Sequence, residues 1–190
     1  MDDGSTDKSF KSVIRHFKNL LDIRYLYYKH NQGPGAARQY GIDHSNNKYI
    51  VFVDADDCLG SPFAISSLKH GIELSPSFQM CASSFLNVID KDNLIFHIYH
   101  QRMEWLFGKI YKRNFLIKNN IRFHPFSRAN EDNGFNTLFE LCCDDVNDKI
   151  NLIDDITYYW CNDNVDSITK RNNYEYSHTT GINGSIHGYL

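Results

Sequence analysis

A chain of 190 residues with 42% apolar side chains is one domain or most of one, with enough apolar material for a core and too much for a disordered chain. Its net charge of −3 carries no electrostatic footprint of a nucleic-acid or membrane-surface binder. No apolar run approaches the roughly 20 residues that cross a bilayer, and Met1 is followed by Asp2 and Asp3, unlike a signal peptide. The five cysteines, Cys58, Cys81, Cys142, Cys143 and Cys161, are odd in number and contain no Cys-x-x-Cys, so neither a disulfide framework nor a zinc knuckle is implied. A reducing cytoplasm fits that usage, with a peripheral place on the inner membrane face left open. The many Tyr and Phe residues favour a packed core and a platform for a ring-shaped ligand.

In chain order, Asp2-Asp3-Gly4-Ser5-Thr6-Asp7 reads as a loop leading into a helix, with Ser5 or Thr6 as cap and Asp7 complementing the helix dipole. Phe10, Val13, Ile14, Phe17, Leu20 and Leu21 then share one helical face. Residues 23–28 have strand composition, and Asn31-Gln32-Gly33-Pro34-Gly35 is a breaker cluster. A helix is expected from Ala36. The loop before it lacks the Lys-Ser/Thr pair of a Walker loop and the third glycine of a dinucleotide fingerprint. Arg38, on the first turn of that helix, can face a phosphate or sit in a surface ion pair.

Tyr49-Ile50-Val51-Phe52-Val53 reads as a strand buried on both faces, and Asp54, Asp56 and Asp57 follow at once. Open α/β sheets bind ligands beyond the carboxyl ends of such strands. Carboxylates this close repel one another, and a hard divalent ion such as Mg²⁺ or Mn²⁺ would relieve the repulsion; a solvated acidic turn is the plainer alternative. An EF-hand is excluded, because Leu59 takes its sixth position and Ile65 its twelfth. Ser61-Pro62 opens a further helix. Residues 79–88 and 94–99 read as two strands around a turn, 115–120 as a short helix, and 130–142 as another. Residues 150–153 and 156–160 read as two short strands, and the segment from 172 on is polar. Alternating strands and helices through the first 75 residues predict an α/β fold with a mostly parallel central sheet and crossover helices; the second half is more mixed.

Three of these stretches, Asp2-Asp3-Gly4-Ser5-Thr6-Asp7, Asn31-Gln32-Gly33-Pro34-Gly35-Ala36-Ala37-Arg38 and Phe52-Val53-Asp54-Ala55-Asp56-Asp57, resemble in order and spacing the successive signatures of family-2 glycosyltransferases. Gly108-Lys109-Ile110-Tyr111-Lys112-Arg113-Asn114-Phe115-Leu116 resembles the segment ahead of the catalytic base in bacterial members, and Glu131-Asp132-Asn133-Gly134-Phe135 their Glu-Asp-x-x-Phe motif. Tyr158-Tyr159-Trp160, with Ser167-Ile168 following, resembles the aromatic strand near the end of the domain. The resemblance covers roughly residues 2–170. It implies a GT-A, Rossmann-like nucleotide-binding fold. It also implies inverting transfer of a sugar from a nucleotide-diphosphate donor, usually a UDP-sugar, to a glycan or other hydroxyl acceptor with Mn²⁺ or Mg²⁺ present. Carried over residue by residue, Asp3 (or Asp2) matches the position that reads the base, and Arg38 one that supports the base or pyrophosphate. Asp54 and Asp56 match the Asp-x-Asp pair at the ribose and metal, and Asp132 the general base.

The resemblance divides the chain into a GT-A domain over residues 1–170, with a donor part to 100 and an acceptor and base part from 101, and a polar tail over 171–190. It also implies a strand, a helix and most of a second strand, about 40 residues, ahead of Asp2. Without them a sheet edge is expected to stand free and to favour association of copies. Two other readings compete. A sugar-nucleotide pyrophosphorylase would carry a Gly-rich, basic loop at its first strand, and none is found. A catalytically impaired remnant acting as a nucleotide-sugar binding module is the other.

Overall fold

A computed structural model describes residues 1–7, 9–125 and 130–161 of the chain. The polar tail, Ser167-Ile168 and the expected boundary at residue 170 lie outside these residues. The elements are β1 (Asp2–Asp3), α1 (Ser9–Phe17), β2 (Tyr27–Tyr28), α2 (Pro34–Asp43), β3 (Tyr49–Val51), β4 (Cys58–Leu59), α3 (Ala64–Glu73), β5 (Met80–Asp90), β6 (Ile95–Tyr99), β7 (Lys109–Lys112), α4 (Arg113–Lys118), α5 (Glu131–Leu141), α6 (Val146–Lys149) and β8 (Ile150–Cys161). None of the described helices is long and apolar enough to cross a membrane.

β1 and β2 form a small parallel sheet. The main sheet runs β3-β7-β5-β8-β4, with β6 on the far part of β5. It is mixed, not mostly parallel: within it only β5 and β8 run parallel among the described residues. The reason lies in the second half of the chain. β5 returns through a tight turn into β6, a short return that leaves room only for an antiparallel neighbour, and β7 then continues along the same edge of β5 in the direction of β6. Asp90 closes the turn by accepting from Asp92 N and Asn93 N, both at 3.0 Å.

Strand alternation sorts the core into two layers. Ile50, Met80 and Tyr111 point to one face, where they pack with Leu116, Phe135 and Phe139 of α4 and α5. Cys81 and Ile110 point to the other, against Leu68 and Ile72 of α3. Every second residue of β3, β5 and β7 therefore belongs to a different cluster, and the sheet is covered by helices on both sides.

Several expected elements shift. The strand expected over 49–53 ends at Val51, and among the described residues it pairs only with β7. Within it Ile50 is buried on one face, Tyr49 and Val51 are half-buried against the α3 side on the other, and Val53, beyond the strand, is exposed. The two short strands expected over 150–160 are one strand, β8, which runs through the exposed Asp154 and Asp155 by slipping its register against β5 around Ser84. In residues 23–28 only Tyr27 and Tyr28 pair as a strand. α1 begins at Ser9, later than a Ser5 or Thr6 cap would put it. On the face read as apolar, Phe10 stacks on Tyr25 at 4.3 Å, whereas Val13, Phe17, Leu20 and Leu21 are exposed. A cleft of about 600 Å³ separates Met1 and α2 from β3.

One connection depends on a glycine. Gly108 has φ +61°, and a Cβ there would overlap Ser83 Oγ. The close approach lets Ser83 N and Ser83 Oγ both donate to Gly108 O at 2.9 Å, beside the Ser83–Thr157 hydroxyl pair. Gly108→Ala adds strain at positive φ and a steric clash, and should lower stability by about 2 kcal/mol or more in urea unfolding. Gly41→Ala, where a Cβ meets nothing within 4 Å, should be neutral or stabilising.

Candidate active site

The site is assembled around Arg38. Gly33 at φ 96° turns the chain into α2, and Pro34 fits the first helical turn. Helical spacing then brings Arg38 to the side of α2 that faces the end of β3. Its Nη2 donates to both oxygens of Asp54, at 2.7 and 2.9 Å, and its Nη1 to Glu131 Oε1 at 2.6 Å. A guanidinium serves here because its planar fork meets two carboxylates at once. Gly35 makes room, since a Cβ at that position would crowd Glu131 Cγ. Burial alone would lower the Arg38 pKa; the charges of Asp54 and Glu131 outweigh it and hold it above its ordinary value.

Glu131 is the first residue of α5 and Asp132 the second. Asn130 enters the helix in the left-handed region at φ 57°, with no side-chain cap, and Asp132 Oδ1 accepts from Asn133 N at 3.0 Å. Burial, reinforced by the neighbouring Glu131 charge and opposed by Arg38, raises the Asp132 pKa to about 6. A carboxyl poised there is mostly ionised at neutral pH and still basic enough to take a proton.

The acidic turn is tied down from behind. Asp57 N donates to Asp54 O at 3.1 Å, closing the turn. The buried Tyr158 hydroxyl accepts from Asp54 N at 3.1 Å and donates to Asp57 Oδ2 at 2.6 Å, and Cys161 N donates to Asp57 Oδ1. Burial pushes the Asp57 pKa up and Tyr158 opposes the rise. Asp57 is thus structural, and Asp56 stands exposed at the corner of the turn.

The first two carboxylates are engaged elsewhere. Asp3 Oδ1 accepts from Gln32 N at 2.7 Å and Oδ2 from Gly33 N at 2.8 Å, so it clamps the breaker loop to β1. Asp2 Oδ2 accepts from Tyr25 Oη and Oδ1 from Ser5 N, and these bonds, Tyr25 foremost, lower its pKa. The structure thus joins Arg38, Asp54 and Glu131 directly, puts Asp132 in electrostatic reach of Arg38, and connects Asp3 to them through α2.

Behind α5, the buried Lys109 Nζ donates to the carbonyls of Arg102 and Trp105, both at 2.6 Å, and more weakly to Phe107. Burial pulls its pKa down to about 7. Three carbonyl acceptors nevertheless match the three N–H bonds of the ammonium form. Tyr111 Oη donates to Asn136 Oδ1, and Asn136 Nδ2 to Trp105 O, so the loop before β7 is bound to α5.

Among the described residues no three His, Cys, Asp or Glu side chains cluster as a ready-made metal centre. The donor set is one free carboxylate, Asp56, with Asp54 beside it and held by Arg38. That suits an ion which takes one or two carboxylates and completes its shell with phosphate oxygens and water, the habit of Mg²⁺.

The family described as Glycosyl transferase family 2 matches residues 1–129. The chain belongs to glycosyl transferase family 2. Similar relatives include an uncharacterized glycosyltransferase of Rickettsia bellii, 42% identical over 55% of this chain and 12% of the relative. A poly(ribitol-phosphate) beta-glucosyltransferase of Bacillus spizizenii is 25% identical over 84% of this chain and 26% of the relative. The chain thus spans about a quarter or less of the length of these relatives. The fold is that of S. aureus TarS in complex with UDP-GlcNAc, at TM-score 0.69 and 19% identity over 86% of this chain and 48% of TarS. A mannosyltransferase of Pyrobaculum calidifontis in complex with GDP-Man and Mn²⁺ aligns at TM-score 0.58 and 12% identity over 83% of this chain and 46% of that one. The mixed α/β architecture of this family member is therefore GT-A.

The motif reading named every member of the Arg38 cluster but not its bonding. It carried Glu131 only as the neighbour of Asp132, and Tyr158 only as part of an aromatic strand. An arginine behind a Gly-rich loop together with two adjacent acids far downstream was the available signal. Arg38→Gln removes the cation shared by two partly buried carboxylates and should cost about 2 to 4 kcal/mol in urea unfolding. It should also move the Asp132 titration, followed by carboxyl NMR, above its parental midpoint, because the positive charge that opposes protonation is gone.

Proposed function

We propose that this family-2 chain carries the donor site and the catalytic base of an inverting glycosyltransferase, with a UDP-sugar as donor and Mn²⁺ or Mg²⁺ as cofactor. The observation that carries the reading is the Arg38 bridge. It sets the Asp54–Asp56 turn against the start of α5, where Asp132 waits with a raised pKa. The UDP-GlcNAc complex of a protein with the same fold supports the choice of donor.

Asp132 would accept the proton of the acceptor hydroxyl as its oxygen bonds to the anomeric carbon. The bond from that carbon to the β-phosphate oxygen would break on the opposite face, releasing UDP, so one in-line attack inverts the configuration. Proton acceptance by a positioned carboxylate contributes about 10²- to 10⁴-fold. A divalent ion, when bound, would stabilise the charge growing on the diphosphate. Asp56, with Asp54 beside it, would hold that ion from the protein side. Arg38 would keep Asp54 oriented toward the donor. Asp3 would act on the base by shaping the loop 31–33, with Asp2 behind it. The donor part then falls over residues 1–100 and the acceptor and base part after them.

Asp132→Asn keeps nearly the same size and should spare the fold, yet turnover should fall by about 10²- to 10⁴-fold while UDP affinity barely changes. In the parent, kcat/KM should fall as pH drops below about 6, because the base becomes protonated there. Glu131→Gln should do less to turnover than Asp132→Asn. Near-parental transfer by Asp132→Asn would remove it as the base.

Asp56→Ala should weaken UDP binding in the presence of Mn²⁺ and leave metal-free binding nearly unchanged, as read by calorimetry. Equal UDP affinity with and without metal in the parent would count against a metal-dependent donor site. UDP binding with metal, but no turnover of any donor, would favour a binding module.

A further inference from the structure

The far half of the main sheet carries an aromatic face that the donor and base residues do not use. The register pairs Phe85 of β5 with Tyr99 of β6 and Tyr158 of β8, and Asn87 with His97 and Trp160, so all six side chains share one face. Trp105 and Phe107, from the loop pinned by Lys109, lie over it. Trp105 meets Phe85 at 5.6 Å and Trp160 at 6.3 Å, and Phe107 stacks on Tyr158 at 4.9 Å. Trp105, Phe107 and Trp160 are all half-buried, presenting part of their rings to the surface.

Asn87 sits within this face at 6% exposure, and its Oδ1 has no hydrogen-bond partner among the described residues. An orphaned buried carbonyl costs about 1–3 kcal/mol, and such a group asks for a partner that arrives from outside. A ring-bearing wall with one unspent hydrogen-bond acceptor has the composition of a small-ligand site. The apolar C–H face of a pyranose stacks on an indole, and its hydroxyls or an acetamido N–H donate to a carbonyl.

The charges around the wall favour a neutral ligand. Arg102 is paired with Glu104 at 2.7 Å, and the Lys109 ammonium is spent on backbone carbonyls, so neither offers a free cation to a phosphate. The wall is also connected to the acidic turn. Tyr158, whose hydroxyl touches Asp54 N and Asp57, lies two residues from Trp160 in β8. That separation is about 7 Å along a strand, close to the length of one sugar ring.

We propose that this aromatic face is a binding subsite for a neutral sugar residue of the acceptor. Trp160 stacks on the ring, and Asn87 Oδ1 accepts from a hydroxyl or acetamido group. The subsite's role in acceptor binding rests on the glycosyl-transfer reading above. The geometry of wall and orphan acceptor stands without it.

The two tryptophans of the chain are both in the wall, so intrinsic fluorescence reports on it directly. The 190-residue chain is titrated with cellobiose and with N,N′-diacetylchitobiose, and separately with UDP and Mn²⁺ by calorimetry. A saturable emission change with at least one disaccharide, in the millimolar range, is expected. Asn87→Leu should weaken sugar binding about tenfold or more while keeping or raising Tm, because it removes an unpaired buried carbonyl. Trp160→Phe should retain more sugar affinity than Trp160→Ala, and neither Asn87→Leu nor Trp160→Phe should alter UDP affinity. Absence of any emission change in the parent, or parental sugar binding by Asn87→Leu, overturns the subsite. Sugar binding without UDP binding supports the subsite and overturns the donor reading; UDP binding without sugar binding does the reverse.

Discussion

The arrangement of the candidate site depends on one shared cation. Asp54 lies 16 residues after Arg38 and Glu131 lies 93 after it, and the guanidinium bonds to both. Without it, three carboxylates from two distant segments would face one another in a partly buried space. Mutual repulsion and desolvation would then drive the start of α5 away from the end of β3. With it, the acidic turn and the start of α5 are held together. The same charge moderates Asp132, whose pKa is raised by burial and Glu131 and held back by Arg38. Position and proton affinity of the candidate base are thus both controlled from α2.

A second set of bonds fixes the turn from the sheet side. Tyr158 is buried in β8, and its hydroxyl reaches Asp54 N and Asp57 together. Asp57 also takes Cys161 N, so the turn is fastened to the last described strand. Of the three acids of the turn, Asp56 alone stays exposed at its corner. Behind α5, Lys109 gathers the loop of residues 102–107 onto β7, and Asn136 binds that loop to the helix. The loop that carries Trp105 is therefore fastened to both β7 and α5.

The fold shows where local pattern misleads. Tyr49–Val51 has the composition of a central strand and, among the described residues, pairs with β7 alone; composition reports apolar character and not the number of neighbours. Asp154 and Asp155 read as a break between two strands, yet β8 continues through them, since a register slip lets both acids stay in solvent. Strand direction in the second half could not be read from pattern either, because a short apolar run fits parallel and antiparallel ladders alike.

The sequence by itself determined the residue types and the order of the motifs: the loop glycines, the acidic turn behind an apolar run, Arg38 and the Glu131-Asp132 pair. It thereby determined membership of the family and the α/β class, since those signatures are local and each needs only neighbouring residues. Only the tertiary structure decided who bonds to whom. Asp54 and Glu131 share Arg38, Asp3 turns inward to cap a backbone loop, Tyr158 joins Asp54 to Asp57, and Asn87 is left with an unspent acceptor among aromatic rings. The physical reason is that charge pairing and hydrogen bonding act through distances of a few ångströms in space. Segments that are adjacent there stand many residues apart in the chain, and only the packing of the sheet and its two helical layers brings them together.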